Sequence, residues 1–207
     1  MRSVDLGFAY KLVPARDGGA PAPLLLLHGT GGDESDLLPL GEALAPGATL
    51  LSPRGKVLEN GMPRFFRRFA EGVFDERDVE ARARELADFV EAARDAHRLG
   101  EIRPVAVGYS NGANIAAAVL LLRPETLSGA ILFRAMMPLE EPASPADLHG
   151  VRVFLGAGRR DPIASPEETG RLGALLGRAG ADVSIHWADA GHGLTPGDVD
   201  AAKRWLG

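Results

Sequence analysis

A chain of 207 residues, 45% hydrophobic and 25% charged, has the size and make-up of a globular domain with a full core. Its net charge of −5 and pI near 5.6 speak against nucleic acid as a partner. The absence of cysteine removes disulfides, thiolate metal sites and a cysteine nucleophile.

Residues 1–6 lack the apolar core of a secretion signal, and the run at 24–27 is far too short to span a bilayer, so the cytoplasm is the expected location. Residues 4–13 predict a strand, followed by a turn cluster at 14–19. Leu24, Leu25, Leu26 and Leu27 form a continuous apolar run, the mark of a strand buried on both faces. It ends in the glycine-rich loop His28-Gly29-Thr30-Gly31-Gly32-Asp33-Glu34. A short helix is expected over 35–44, capped by Ser35 or Asp36. A strand at 48–51 precedes a long segment to about residue 74, with glycines at 55, 61 and 72 and little periodicity.

The plainest helix covers 76–99. There Val79, Ala83, Leu86, Phe89, Val90 and Ala93 recur at three- and four-residue steps, and Gly100 ends the pattern. A strand at 105–107 leads into Gly108-Tyr109-Ser110-Asn111-Gly112 and a helix rich in alanine and leucine. Further strands are expected at 127–133, 151–155 and 183–187. Helices are expected at 167–178, closed by Gly180, and at 196–206, opened by Pro196. This alternation predicts an α/β fold, a mostly parallel sheet of about seven strands with helices on both faces. With no repeat or long linker, residues 1–207 are expected to form a single domain. The stretch 134–150 leaves room for only a loop or one short helix, so no large cap domain is expected.

In parallel sheets, ligands bind at the carboxyl ends of the strands, and three loops there carry chemistry. Ser110 is the centre of G-x-S-x-G between a strand and a helix, where glycines at 108 and 112 permit a very sharp turn. Asp161 stands in the loop Gly156-Ala157-Gly158-Arg159-Arg160-Asp161-Pro162, 51 residues on from Ser110. His192, 31 residues further, lies between Gly191 and Gly193. A serine hydroxyl becomes a useful nucleophile when an imidazole takes its proton, and the imidazole needs a carboxylate to fix its tautomer. The order Ser, Asp, His is that of an α/β-hydrolase elbow and its partners. Asp189, three residues before His192, is a rival for the acid. The other histidines have plainer readings: His97 complements a helix C-terminus, His149 lies in a polar turn and His186 within a strand.

These pieces resemble the phospholipase/carboxylesterase branch of the α/β-hydrolases, small esterases and acyl-protein thioesterases. The matching segments are Leu27-His28-Gly29-Thr30-Gly31-Gly32-Asp33, Gly108-Tyr109-Ser110-Asn111-Gly112, the loop to Asp161-Pro162, and Gly191-His192-Gly193. Ser52-Pro53-Arg54-Gly55 and Glu59-Asn60-Gly61-Met62-Pro63-Arg64-Phe65-Phe66 further resemble small bacterial carboxylesterases linked to hydroquinone and quinone response. The resemblance implies Ser110 as nucleophile, His192 as general acid/base and Asp161 as its orienter. It also implies an oxyanion hole from the backbone N–H groups of Thr30 and Asn111, and a structural role for His28 in shaping that loop.

Met62, Phe65, Phe66, Phe69 and Phe74 are candidates for one wall of an apolar acyl or aryl pocket, alongside His28 and Leu194; Met136, Met137 and Leu139 are candidates for the other. For any single aromatic among them, folding back onto the core is the plainer reading. Arg64, Arg67 and Arg68 read as a solvated basic face, with an acidic substrate group as the lesser reading. No cofactor or metal is implied, since no histidine and carboxylate cluster has ligand spacing. The expected activity is carboxylic ester hydrolysis through an acyl-enzyme, with a small-molecule ester as partner. Thioester or acyl-protein deacylation is the alternative, a non-catalytic binding protein is the reading from a different class, and a homodimer is left open.

Overall fold

Leu24, Leu25, Leu26 and Leu27 explain the architecture, because successive side chains on a strand point to opposite faces. Leu24 and Leu26 enter one apolar cluster and Leu25 and Leu27 another, and none of the four is exposed. A strand of this kind needs cover on both sides, and the computed structural model, which describes residues 6–16, 22–140 and 146–207, supplies it.

The first half of the chain forms β1 (Tyr10–Val13), β2 (Leu24–Leu27), α1 (Leu38–Leu44) and β3 (Leu50–Pro53). Four short strands follow, β4 (Val57–Glu59), β5 (Met62–Arg64), β6 (Arg68–Ala70) and β7 (Val73–Phe74), then the long α2 (Glu76–His97). The second half comprises β8 (Val105–Tyr109), α3 (Asn111–Leu122), β9 (Gly129–Phe133), β10 (Arg152–Gly158), α4 (Pro166–Arg178), β11 (Asp182–Ala188) and α5 (Pro196–Leu206). The main sheet has the order β1-β3-β2-β8-β9-β10-β11; β1 is antiparallel to β3 and the other pairings are parallel. Residues of α2, α3 and α4 share one core cluster with the sheet, and residues of α1 and α5 pack into the other. This is the expected α/β architecture. Among the described residues no helix is long and apolar enough to cross a membrane.

Several local expectations change. Helix α1 starts at Leu38 with Leu37 at its N-cap and no side-chain cap bond, rather than at Ser35 or Asp36. Asp33 already accepts from the Ser35 backbone N–H, and the Ser35 hydroxyl accepts from Lys11, so a turn occupies the residues before the helix. Pro39 in the first turn fixes where the helix begins. Helix α2 is closed by Arg98 in the left-handed conformation (φ 53°) before Gly100 is reached. Of the strand expected at 4–13, residues 4–5 lie outside the described residues and Tyr10–Val13 is strand. Residues 17–19 of the expected turn cluster and 141–145 of the stretch 134–150 also lie outside them.

The aperiodic stretch after Pro53 is two hairpins. β4 and β5 pair antiparallel around Asn60-Gly61, both at positive φ, the combination that two-residue hairpin turns require. β6 and β7 pair antiparallel around Glu71-Gly72. Strands of two or three residues are too short to show a period of two, so the Asn-Gly dipeptide was their main trace in the sequence. Strand β10, conversely, continues to Gly158 because it stays paired with β11 to Ala188.

Helix α3 is the floor on which the site is built. Every residue from Asn111 to Leu121 is buried. Its first turn presses so closely on β2 that a Cβ at Gly112 would lie 1.9 Å from the Leu27 carbonyl oxygen. A Cβ at Gly108 would meet Ala113 backbone at 2.6 Å. Real contacts are never that short, so both positions require glycine.

Candidate active site

Ser110 sits between β8 and α3 with φ 52° and ψ −114°, a conformation that costs a non-glycine residue roughly 1–3 kcal/mol. Hydrogen bonds on both sides hold it there: its N–H donates to Phe133 O (2.9 Å) and its carbonyl accepts from Asn114 N–H (3.0 Å). The turn leaves the hydroxyl at the carboxyl edge of the sheet, 2.9 Å from His192 Nε2. On the other side of the ring, Nδ1 lies 2.8 Å from Asp161 Oδ2 and 3.1 Å from Oδ1. An ionised carboxylate can only accept, so Nδ1 carries the proton and Nε2 accepts from Ser110.

Asp161 is positioned from below. Its Oδ1 accepts from the backbone N–H groups of Ile163 (2.8 Å) and Ala164 (3.0 Å), and its carboxyl group is fully buried. The rival carboxylate, Asp189, is exposed and pairs with Arg160 at 3.0 Å. The structure thus brings Ser110, His192 and Asp161 into one hydrogen-bonded line and leaves Asp189 outside it. The remaining histidines lie elsewhere. His97 Nε2 is 2.8 Å from the Tyr10 hydroxyl, joining β1 to α2; His149 is exposed beside Asp147; and His186 stacks on Phe154.

The loop bearing His192 is gripped by an arginine that gave no sign of this role in the sequence. Arg134, fully buried just after β9, donates from Nε to Gly191 O (3.1 Å) and from Nη2 to Gly193 O (2.8 Å). It also donates to Gly156 O and forms a two-pronged pair with the buried carboxylate of Asp198 (2.8 and 3.1 Å). Asp198 in turn accepts from the Thr195 N–H and hydroxyl in the capping box of α5. Burial pushes its carboxyl pKa up, but the bonds from Arg134 and Thr195 outweigh it and the net shift is downward. Tyr109 adds a hydroxyl donated to His192 O at 3.1 Å, with its ring tilted against the imidazole.

A cavity of about 260 Å³ opens over Ser110 and His192. Thr30 and Asn111, the candidate oxyanion residues, both line it, with Tyr109, Asn114 and Ile163. The hairpins contribute Arg64, Arg68, Glu71, Gly72 and Phe74, and Met136 closes the far side. Of the expected pocket residues, Met136 and Phe74 belong to this lining; His28, Met62, Phe65, Phe66, Phe69, Met137, Leu139 and Leu194 do not, Leu139 being buried in the core and Phe69 exposed. Phe65 and Phe66 point into the core, against His28 and Phe74 respectively. Met62 is exposed and lies against Gly31. Met137 lines a separate recess with Glu140 and Arg171, and Leu194 packs into the cluster beneath α1 and α5. Arg64 departs from the expected solvated face altogether, being 2% exposed with Nη1 donating to the Thr30 hydroxyl at 2.6 Å.

His28 holds the glycine-rich loop. Its Nδ1 is 2.6 Å from Gly29 O, and its Nε2 accepts from Gly55 N–H at 3.0 Å, a pattern that fixes the neutral ring. Burial lowers its pKa from the ordinary 6.5, partly opposed by the bond to Gly29 and by Asp36 and Asp33. The unfolded chain therefore takes up this proton first as pH falls. The stability His28 contributes is whole above pH 6.5 and declines as pH drops from there towards the folded-state value. Urea melts from pH 7.5 to 5 are expected to show falling midpoints in the parent protein and a shallower fall in His28→Gln.

Among the described residues, no group of three or more histidine and carboxylate side chains is placed to hold a metal ion. No family model matches the sequence. The chain is 51% identical over 182 residues to the "Putative hydrolase MhqD" of Bacillus subtilis strain 168, covering 88% of this chain and 90% of that protein. The crystal structure of the Bacillus cereus carboxylesterase is 48% identical and superposes with a TM-score of 0.92, over 96% of this chain and 93% of that one. A carboxylesterase from Mesorhizobium loti is 34% identical with the same TM-score, over 99% and 96% of the two chains. With the elbow, the sheet order and the three converging loops in agreement, the chain belongs to the carboxylesterase family of the α/β-hydrolases.

Proposed function

We propose that residues 1–207 act as one α/β-hydrolase domain, a serine carboxylesterase that works through an acyl-enzyme. The observation that carries this reading is the continuous hydrogen-bonded line from Asp161 through His192 to Ser110 at a strained elbow. The carboxylesterases from Bacillus cereus and Mesorhizobium loti, both similar over nearly the whole chain, support the ester as substrate.

Ser110 Oγ attacks the ester carbonyl carbon while His192 Nε2 takes its proton. The tetrahedral oxyanion is met by the backbone N–H groups of Thr30 and Asn111, where one such donor is worth about 3–4 kcal/mol of barrier. The C–O bond to the alcohol breaks as His192 returns the proton to the leaving oxygen, giving acyl-Ser110. Water, deprotonated by His192, then attacks the acyl carbon, and Ser110 leaves with that proton to release the acid. Asp161 holds the Nδ1–H tautomer throughout and stabilises the imidazolium.

A fluorophosphonate probe followed by peptide mass spectrometry tests the assignment. The adduct is expected on Ser110, and modification at another serine, or none, overturns it. The same steps cleave thioesters, and turnover of a short acyl-CoA against a p-nitrophenyl ester of equal acyl length ranks the two substrates.

A further inference from the structure

The wall of the cavity formed by the hairpins is lined with cationic donors that the ester chemistry does not use. Arg64 ends β5 and Arg68 begins β6, and both line the space over Ser110 and His192. Each has part of its guanidinium engaged. Arg64 Nη1 donates to the Thr30 hydroxyl, its Nε donates to Phe66 O at 3.2 Å, and its plane lies over the Phe66 ring. Arg68 Nε donates to Glu59 at 3.0 and 3.1 Å.

The only carboxylate pairing with either cation among the described residues is that same Glu59, whose Oε2 is 3.3 Å from Arg64 Nε. Arg64 Nη2 and both terminal nitrogens of Arg68 have no hydrogen-bond partner among the described residues. The two terminal nitrogens of Arg68 are a pair that can grip a carboxylate as a fork, and Arg64 Nη2 adds a single charged donor. Glu71 also lines the cavity, but it is exposed and forms no ion pair among the described residues, so water screens it. Next to Ser110, the Nδ2 of Asn111 is buried and unpartnered, while its Oδ1 accepts from Phe65 N–H, which fixes the amide's orientation. Burial and the nearby Arg68 bring the Arg64 guanidinium down to about 10, against the pull of Glu59, as expected for a cation short of negative charge.

We propose that Arg64 and Arg68 form a carboxylate-recognition subsite beside the nucleophile, so that the preferred substrates are monoesters of dicarboxylic acids. The inference rests on the esterase reading above and narrows its substrate class. Thr30 links the two functions. Its hydroxyl accepts from Arg64 while its backbone is the candidate oxyanion donor, so a carboxylate on Arg64 settles close to the reacting carbonyl.

The test compares the monomethyl esters of succinate, glutarate and adipate with their dimethyl esters at low ionic strength, following acid release by chromatography. For at least one chain length, kcat/KM is expected to favour the monoester by about tenfold or more, mainly through KM, and added salt narrows the gap. Arg64→Gln removes a buried group and risks the fold, so Arg68→Gln, at a partly exposed position, is made alongside it. In Arg68→Gln the monoester is expected to lose more kcat/KM than the diester. Equal or better turnover of the diester at every length, or a ratio unmoved by Arg68→Gln, overturns the subsite and leaves the esterase standing. No hydrolysis of any of these esters or of p-nitrophenyl acetate overturns both.

Discussion

Ester hydrolysis by Ser110→Ala is expected to fall by about four to six orders of magnitude in kcat/KM, and by Asp161→Asn by about four. The second value follows from the surroundings of residue 161. The backbone N–H groups of Ile163 and Ala164 demand an acceptor at Oδ1. An asparagine there must therefore turn its NH₂ towards His192. Nδ1 then has to accept, the proton moves to Nε2, and the ring can no longer take one from Ser110. The fold should survive, because the two backbone bonds persist. Melting temperatures within a few degrees of the parent, together with the rate loss on a p-nitrophenyl ester, check both points. Substantial residual activity in Asp161→Asn would place the orienting acid elsewhere.

The second large effect is expected at Arg134. Arg134→Met strips the buried Asp198 of its cation, and breaking one partner of such a pair typically costs about 3–5 kcal/mol. It also frees the carbonyls of Gly191 and Gly193, so the imidazole between them is no longer held in register with Ser110. A displacement of about 1 Å can cost on the order of a hundredfold in rate. The two losses separate in the double variant Arg134→Met/Asp198→Leu. Stability measured by urea unfolding should largely return, since no charge is left buried, whereas kcat should stay low because nothing replaces the grip on the loop. Recovery of both would mean that Arg134 matters for stability alone.

The parts that were legible in the sequence are those where the chemistry or the backbone tolerates few residue types. The four leucines of β2 announce a doubly covered strand, Gly108 and Gly112 are required by contacts that admit no Cβ, and Asp161 and His192 follow strands whose carboxyl ends meet. Arg134 was silent, because its left-handed backbone (φ 54°) and all five of its side-chain hydrogen bonds depend on segments 22 to 64 residues away. Arg64 misled, since an arginine in a segment without periodicity reads as surface until the Thr30 loop and Phe66 close around it. The aromatic pair at 65–66, offered for the pocket, took the plainer of its two readings, both rings lying in the core just after β5. Asn114 was within reach of sequence reasoning: four residues after Ser110 on a helix, it shares the elbow's face and lines the cavity.

The tight seat of α3 has a consequence for how such an enzyme diversifies. A helix wedged among its neighbours along eleven successive positions leaves no slack beneath the nucleophile in which to carve room for a bulkier ester. New selectivity has to be drawn from above, by exchanging the exposed positions of the paired ribbons between residues 54 and 74 or Met136, with the buried Arg64, Phe65, Phe66 and Arg134 kept in place. Libraries confined to those positions should yield altered preference with intact expression, and libraries seeded in the helix should yield mostly insoluble protein.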